Sequence, residues 1–192
     1  CAVDVANGTA YLNGGSFWGS MVGVNVLSKV YITGGTFHGD TSNALYVDSG
    51  NGAVLSGGKY TTGENVECSI YYAKENWTNV SAKDLLAGGY QYVDESGSVS
   101  TLSTNSLGVV GNAKVVPAAG TVEYIGEGGT KQVCTDATEL TGNNDKLNDE
   151  WYVVTGNVTI DGPLIIGAET VNLILCDGAT LTMDMLEVFG AP

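Results

Sequence analysis

Four tyrosines recur beside short apolar segments, at Tyr11, Tyr31, Tyr46 and Tyr71, and Trp77 follows them in a polar stretch. A tyrosine ring offers a flat apolar face with a hydroxyl at its rim. Such rings stack on sugar faces while neighbouring Asn or Thr groups bond the sugar hydroxyls. Tyr11, Tyr31, Tyr46, Tyr71 and Trp77 are therefore the candidate sugar-stacking residues. External tyrosine ladders also stabilise sheets simply by packing, so residue types alone leave recognition and stabilisation both open.

Hydrolytic chemistry has less behind it. Two suitably separated carboxylates suffice for glycoside hydrolysis, and Asp40, Asp48, Glu64 and Glu67 fall near successive corners, with Asp94 and Glu95 further on. No two of them single themselves out as an acid/base pair, and they read as a solvated acidic surface. His38 is the only histidine. One imidazole cannot form a multi-histidine metal centre, and no Ser-His-Asp order can be defended, so His38 reads as a turn or surface residue. GEGG at 126–129 lacks the Lys-Ser/Thr ending of a phosphate loop, and NDKLNDE at 144–150 lacks the ligand spacing of an EF-hand. No cofactor or resident metal is expected, and a non-catalytic role is favoured over an enzymatic one.

Composition narrows the partners. Of 192 residues 43% are hydrophobic and only 15% charged, with a formal net charge of −14, and all seven cationic residues are lysines. A strongly anionic chain without guanidinium forks is a poor match for nucleic acid, anionic lipid or polyuronate. Neutral glycans, host surface proteins and cationic partners remain. A surface built from Ser, Thr, Asn and Gly suits an extracellular or bacterial cell-surface location, and no apolar run is long enough for direct membrane insertion. Cys1, Cys68, Cys134 and Cys176 contain no CxxC pair; in an exported chain they allow three complete pairings, while buried free thiols are equally ordinary.

The elements that must position these residues are written as a repeat. AYLNGGSF at 10–17, VYITGGTF at 30–37 and AVLSGGKY at 53–60 align on paired glycines, followed by the weaker LLAGGY at 85–90. Gly14, Gly34 and Gly57 are 20 and then 23 residues apart, a solenoid period. Between them lie VGVNVLS, ALYVDSG and CSIYYAK. Period-two alternation turns Ala10, Leu12, Val30, Ile32, Ala53 and Leu55 inward, together with Val24, Val26, Leu45, Val47, Ile70 and Tyr72. Tyr11, Tyr31, Tyr46 and Tyr71 then face water, and Phe17, Phe37 and Tyr60 are expected to pack over a corner.

This pattern predicts an all-β fold: a right-handed parallel β-helix (β-solenoid) with rungs of about 20–23 residues and irregular insertions. An insertion is expected near 71–84, with a helical turn near SAKDLL. Residues 1–130 read as β-solenoid rungs with that loop, growing irregular after Tyr92 as degenerate rungs or a small packing domain. Residues 131–192 read as a second β-solenoid piece or a capping segment, truncated or whole, in which Trp151 covers the open end of the core.

The GG-[ST]-F rungs, and the tail from Thr135 through GNNDKLNDEWYVVTGNVTI to VNLILCDGATLTM, resemble the repetitive β-helical, adhesin-like regions of large surface proteins of gut Firmicutes. That resemblance implies a surface role and supplies no catalytic signature. Pectate lyases, which share the architecture, imply a calcium-binding carboxylate cluster and an arginine base, and arginine is absent; the NTD, DD and GHG elements of polygalacturonases are absent too. The leading expectation is a non-catalytic extracellular or cell-surface module, adhesive or glycan-binding. A divergent polysaccharide-processing enzyme and a structural spacer of a large surface protein are the alternatives.

Overall fold

Each short strand lies beside its counterpart one coil away, not beside its neighbour in sequence. The computed structural model describes residues 1–48, 52–73, 80–126, 129, 131–148, 150–168 and 170–188. The protein is a β-solenoid of stacked parallel strands in two compact units, Cys1–Ala118 and Ala119–Pro192.

In the first unit, coil one holds β1 (Val3–Val5), β2 (Thr9–Leu12) and β3 (Ser16–Gly19), and coil two holds β4 (Val24–Val26), β5 (Lys29–Ile32) and β6 (Thr36–Gly39). Coil three holds β7 (Leu45–Val47), β8 (Ala53–Leu55) and β9 (Lys59–Thr62). β10 (Cys68–Tyr72) opens a fourth coil that continues through a 3-10 turn at Ala82–Leu85 to β11 (Tyr90–Val93). Three parallel walls result, β1-β4-β7-β10, β2-β5-β8 and β3-β6-β9. Leu12 lies on Ile32 and Ile32 on Leu55. Val24, Val26, Val30, Ile32, Leu45, Val47, Leu55 and Ile70 are completely buried, as the alternation requires. Each contributes on the order of 1.5–3 kcal/mol of apolar burial.

Phe17, Phe37 and Tyr60 correct the corner assignment. They point into the coil from the third wall, with Phe37 and Tyr60 fully buried. Their rings stack at 5.2 Å in both steps. An aromatic residue followed by one more alternating pair makes a strand, and that strand places the ring inside. The glycine pair lets the chain reach it. A Cβ on Gly57 would run into the Thr33 carbonyl of the coil beneath, whereas one on Gly14 would meet nothing within 4 Å. The second glycine turns the corner in the left-handed region, at φ 110° for Gly35 and 106° for Gly58, which a side chain disfavours.

The irregular stretch after Tyr92 closes this unit. β12 (Gly108–Val110) pairs antiparallel with β10, and β13 (Ala113–Pro117) inserts antiparallel between β9 and β11. Val109, Ala113 and Val115 join the core. The turn within SAKDLL has a capping box: Ser81 accepts from the Lys83 N–H, and Asp84 accepts from the Ser81 N–H at 2.8 Å, satisfying donors the short turn leaves over.

The second unit begins with an antiparallel hairpin, β14 (Val122–Ile125) and β15 (Lys131–Cys134). Both strands of that hairpin belong to the second unit, Ala119–Pro192. β16 (Thr138–Glu139), β17 (Lys146–Leu147), β18 (Trp151–Val154), β19 (Asn157–Ile166), β20 (Asn172–Leu175) and β21 (Thr180–Val188) follow. They stack in parallel as β16-β18-β20 and β17-β19-β21. The long pair β19-β21 breaks register between Ile160 and Pro163, where Gly162 has φ 116°, so one strand supplies two sides. Tyr152, Val154, Ile160 and Leu164 fill the interior. Trp151 does not cover an end. It packs with Val153, Ile174 and Cys134 on the outer side of its sheet, against Tyr124 of the hairpin at 5.0 Å. The four cysteines are free thiols: Cys1 exposed, Cys68 and Cys134 buried, Cys176 half-buried.

Two contrasts test this architecture by thermal unfolding. Ile32→Asn should destabilise by at least roughly 3 kcal/mol, through lost packing and an unsatisfied amide, while Tyr31→Ala loses about 1 kcal/mol of ring stacking. Equal losses would contradict the face assignment. Gly57→Ala should destabilise by roughly 1–3 kcal/mol, whereas Gly14→Ala stays within about 1 kcal/mol of the parent.

Candidate functional site

Because the coils are in register, each outward position becomes a column. On the first wall the column runs Asp4, Asn25, Tyr46, Tyr71. Tyr46 and Tyr71 stack at 6.1 Å with their planes 23° apart. Asn25 donates from Nδ2 to Asp4 Oδ1 at 3.0 Å. The step from an aromatic ring to the smaller amide opens a hollow of about 270 Å³, lined by Tyr46, Asn25, Ser42, Met21, Val22 and Cys1. One side of Tyr46 is occupied by Tyr71, and the residue also lines this hollow.

On the second wall Tyr11 lies on Tyr31, with ring centroids 5.2 Å apart and planes within 8°. Lys29 Nζ stands 5.0 Å from the Tyr31 ring centre, a cation–π contact. Val54 takes the equivalent place in the third coil, so the aromatic column stops there. Stacked this way, each ring covers one face of the other. Tyr11, 67% exposed, stands at the outer end of the column. The five predicted residues therefore do not form one track: Tyr46 and Tyr71 share one wall, Tyr11 and Tyr31 another, and Trp77 lies outside the described residues.

The third wall carries a column that the sequence reading passed over, Trp18, His38, Thr61. Trp18, 70% exposed, stacks on the His38 ring at 3.8 Å. His38 Nδ1 shares a 2.9 Å hydrogen bond with Thr61 Oγ1, and Asp40 Oδ1 stands 3.9 Å from its Nε2. Hydroxyl, imidazole and carboxylate are thus brought together beneath an exposed indole, with the His38 side chain 14% and the Asp40 side chain 54% exposed. Thr61 Oγ1 also lies 3.4 Å from the Phe37 carbonyl, a further tie along the ladder. The sequence carries the signal: SFWGS, TFHGD and KYTTG align one position beyond the aromatic residue that follows each glycine pair.

Perturbed groups lie elsewhere and are structural. Burial raises the Tyr60 hydroxyl well above its ordinary range, with Tyr92 adding, and raises that of Tyr92, with Asp84 adding. Both stay protonated and donate, Tyr60 to the Gly57 carbonyl at 3.0 Å and Tyr92 to the Ala82 carbonyl at 2.7 Å. Hydrogen bonds from Ser96, in side chain and backbone, and from the Ser98 and Gly97 amides hold Asp94 below the usual carboxylate range, ordering an exposed turn. Among the described residues no three His, Cys, Asp or Glu side chains gather as a metal site. No protein-family model, curated protein or solved structure matches the chain.

Proposed function

We propose that the chain is a non-catalytic extracellular or cell-surface module that binds neutral glycan through the first wall of its first unit. The observation that carries this reading is the hollow where Tyr46 meets Asn25. It combines an aromatic ring for a sugar face, an amide and the Ser42 hydroxyl for sugar hydroxyls, and a volume suited to a single sugar ring. Asn25 is itself held by the Asp4 carboxylate, and the chain's net charge of −14 favours a neutral or cationic ligand over an anionic one. A repeating wall that displays such a site also suits adhesion to a glycan-coated host surface. The mutual stacking of Tyr11 and Tyr31 speaks for the spacer reading on the second wall, where the rings brace adjacent coils.

A glycan array of neutral and mucin-type sugars, followed by calorimetry on the best ligand, tests the assignment. Tyr46→Ala should weaken binding at least about tenfold, near 1.4 kcal/mol, with the thermal transition intact, while Tyr11→Ala leaves affinity unchanged. Absence of binding across the array, or equal loss from both substitutions, would sink it. No release of reducing ends from the same sugars is expected.

A further inference from the structure

Where the closing segment meets the third wall of the first unit, three side chains of complementary chemistry converge. Lys59 opens β9, Asn112 immediately precedes β13, and Glu95 lies in the turn that follows β11. β13 pairs with β9 through Ala113 opposite Tyr60 and Lys114 opposite Lys59, and with β11 through Lys114 opposite Val93. This pairing delivers Asn112 to Thr62, at the end of β9. Asp94 accepts from the Ser96 and Ser98 amides and so orders the turn that carries Glu95. The three residues are far apart in sequence, and only the folded unit assembles them.

Their contacts are directional. Asn112 Oδ1 accepts from the Thr62 N–H at 3.0 Å, and Asn112 Nδ2 donates to Glu95 Oε1 at 3.3 Å. A backbone N–H can only donate and an ionised carboxylate only accept, so these two partners fix which way the amide points. Lys59 Nζ stands 3.8 Å from the same Glu95 Oε1. One carboxylate oxygen thus faces both an amine and an amide nitrogen, while a backbone donor polarises the amide carbonyl. As an ion pair the arrangement contributes little, because the Lys59 and Glu95 side chains are 44% and 61% exposed. As chemistry it unites a nucleophile, a proton carrier and an activated carbonyl.

We infer that Lys59 and Asn112 join in an isopeptide bond, formed once per chain after folding, with Glu95 carrying the protons. Glu95 takes a proton from the Lys59 ammonium, and the freed amine attacks Asn112 Cγ. Negative charge developing on Oδ1 is met by the Thr62 N–H. The Nζ–Cγ bond forms and the Cγ–Nδ2 bond breaks. Nζ gives up two protons in all, Glu95 passes them to Nδ2, and that nitrogen leaves as ammonium. Glu95 ends as the carboxylate it was, and nothing is oxidised or reduced. Placement within the fold replaces the bimolecular encounter that a free amine and a free amide would need. The bond ties β9 covalently to the strand that closes the unit, removing from the unfolded chain the freedom of the long loop between them. The step consumes its own residues once and is independent of the glycan-binding first wall.

Mass spectrometry of the whole chain, sampled from fresh folding through days at neutral pH, tests this. The parent should lose the mass of one ammonia, and digestion should yield a branched peptide joining the segments that contain Lys59 and Asn112. That peptide separates the bond from succinimides at Asn7-Gly8 or Asn13-Gly14, which shed ammonia without branching. Lys59→Arg keeps the charge and should give no branched peptide, while Glu95→Gln should slow its appearance at least roughly a hundredfold. The parent kept in denaturant should form none. Once aged, the parent should melt at a higher temperature than Lys59→Arg aged alongside it. An aged parent without the branched peptide, conversion of Asn112 to Asp without branching, or branching that persists in Lys59→Arg or at the parental rate in Glu95→Gln, would overturn the proposal.

Discussion

Parallel coils about 4.8 Å apart oblige every side chain to tolerate its counterpart directly above and below. The backbone bonds that hold the stack cannot form without creating columns, and a column admits only certain contents. Leu12, Ile32 and Leu55 succeed because apolar groups gain by being stacked. Phe17, Phe37 and Tyr60 succeed because flat rings repeat at this spacing. Like charges would repel at every coil. This accounts for the low charged content: outward columns hold amides, hydroxyls and rings, and Asp4 is followed by Asn25 and not by another carboxylate.

The same constraint explains how much could be read from residues alone. The inward columns of two walls were legible because alternation and the glycine pair recur together. The third wall is less legible at Phe17 and Phe37, since the repeat is plain only up to the aromatic residue and the strand shows in the position after it, where Trp18 pairs with His38. The closing strands β12 and β13 left no mark of this kind. They run against the coils and repeat nothing, so periodicity carries no information about where they pair. Trp151 was misassigned for a related reason: a non-repeating hairpin, invisible to the repeat, covers its sheet.

The candidate binding wall follows from irregularity within regularity. A column of identical tyrosines would present only ring edges, because each ring would cover the next. Recognition needs a step, and the change from Tyr46 to Asn25 supplies one without disturbing the backbone register. The fold holds the polar group and the ring at a fixed interval on a rigid wall, which reduces the ordering a ligand must impose.

The closure of the first unit also shapes how it comes apart. Contacts between neighbouring coils join residues a little over twenty positions apart, as in the bond from Asn25 to Asp4. The closing segment reaches much further, with Asn112 accepting from the Thr62 amide across 50 positions. Such a long loop closes readily only once the coils already exist. Closure is then a latch: a bare stack of coils could peel from its last strand one coil at a time, whereas β13, held between β9 and β11, ties the third coil to the fourth and binds their loss into one event.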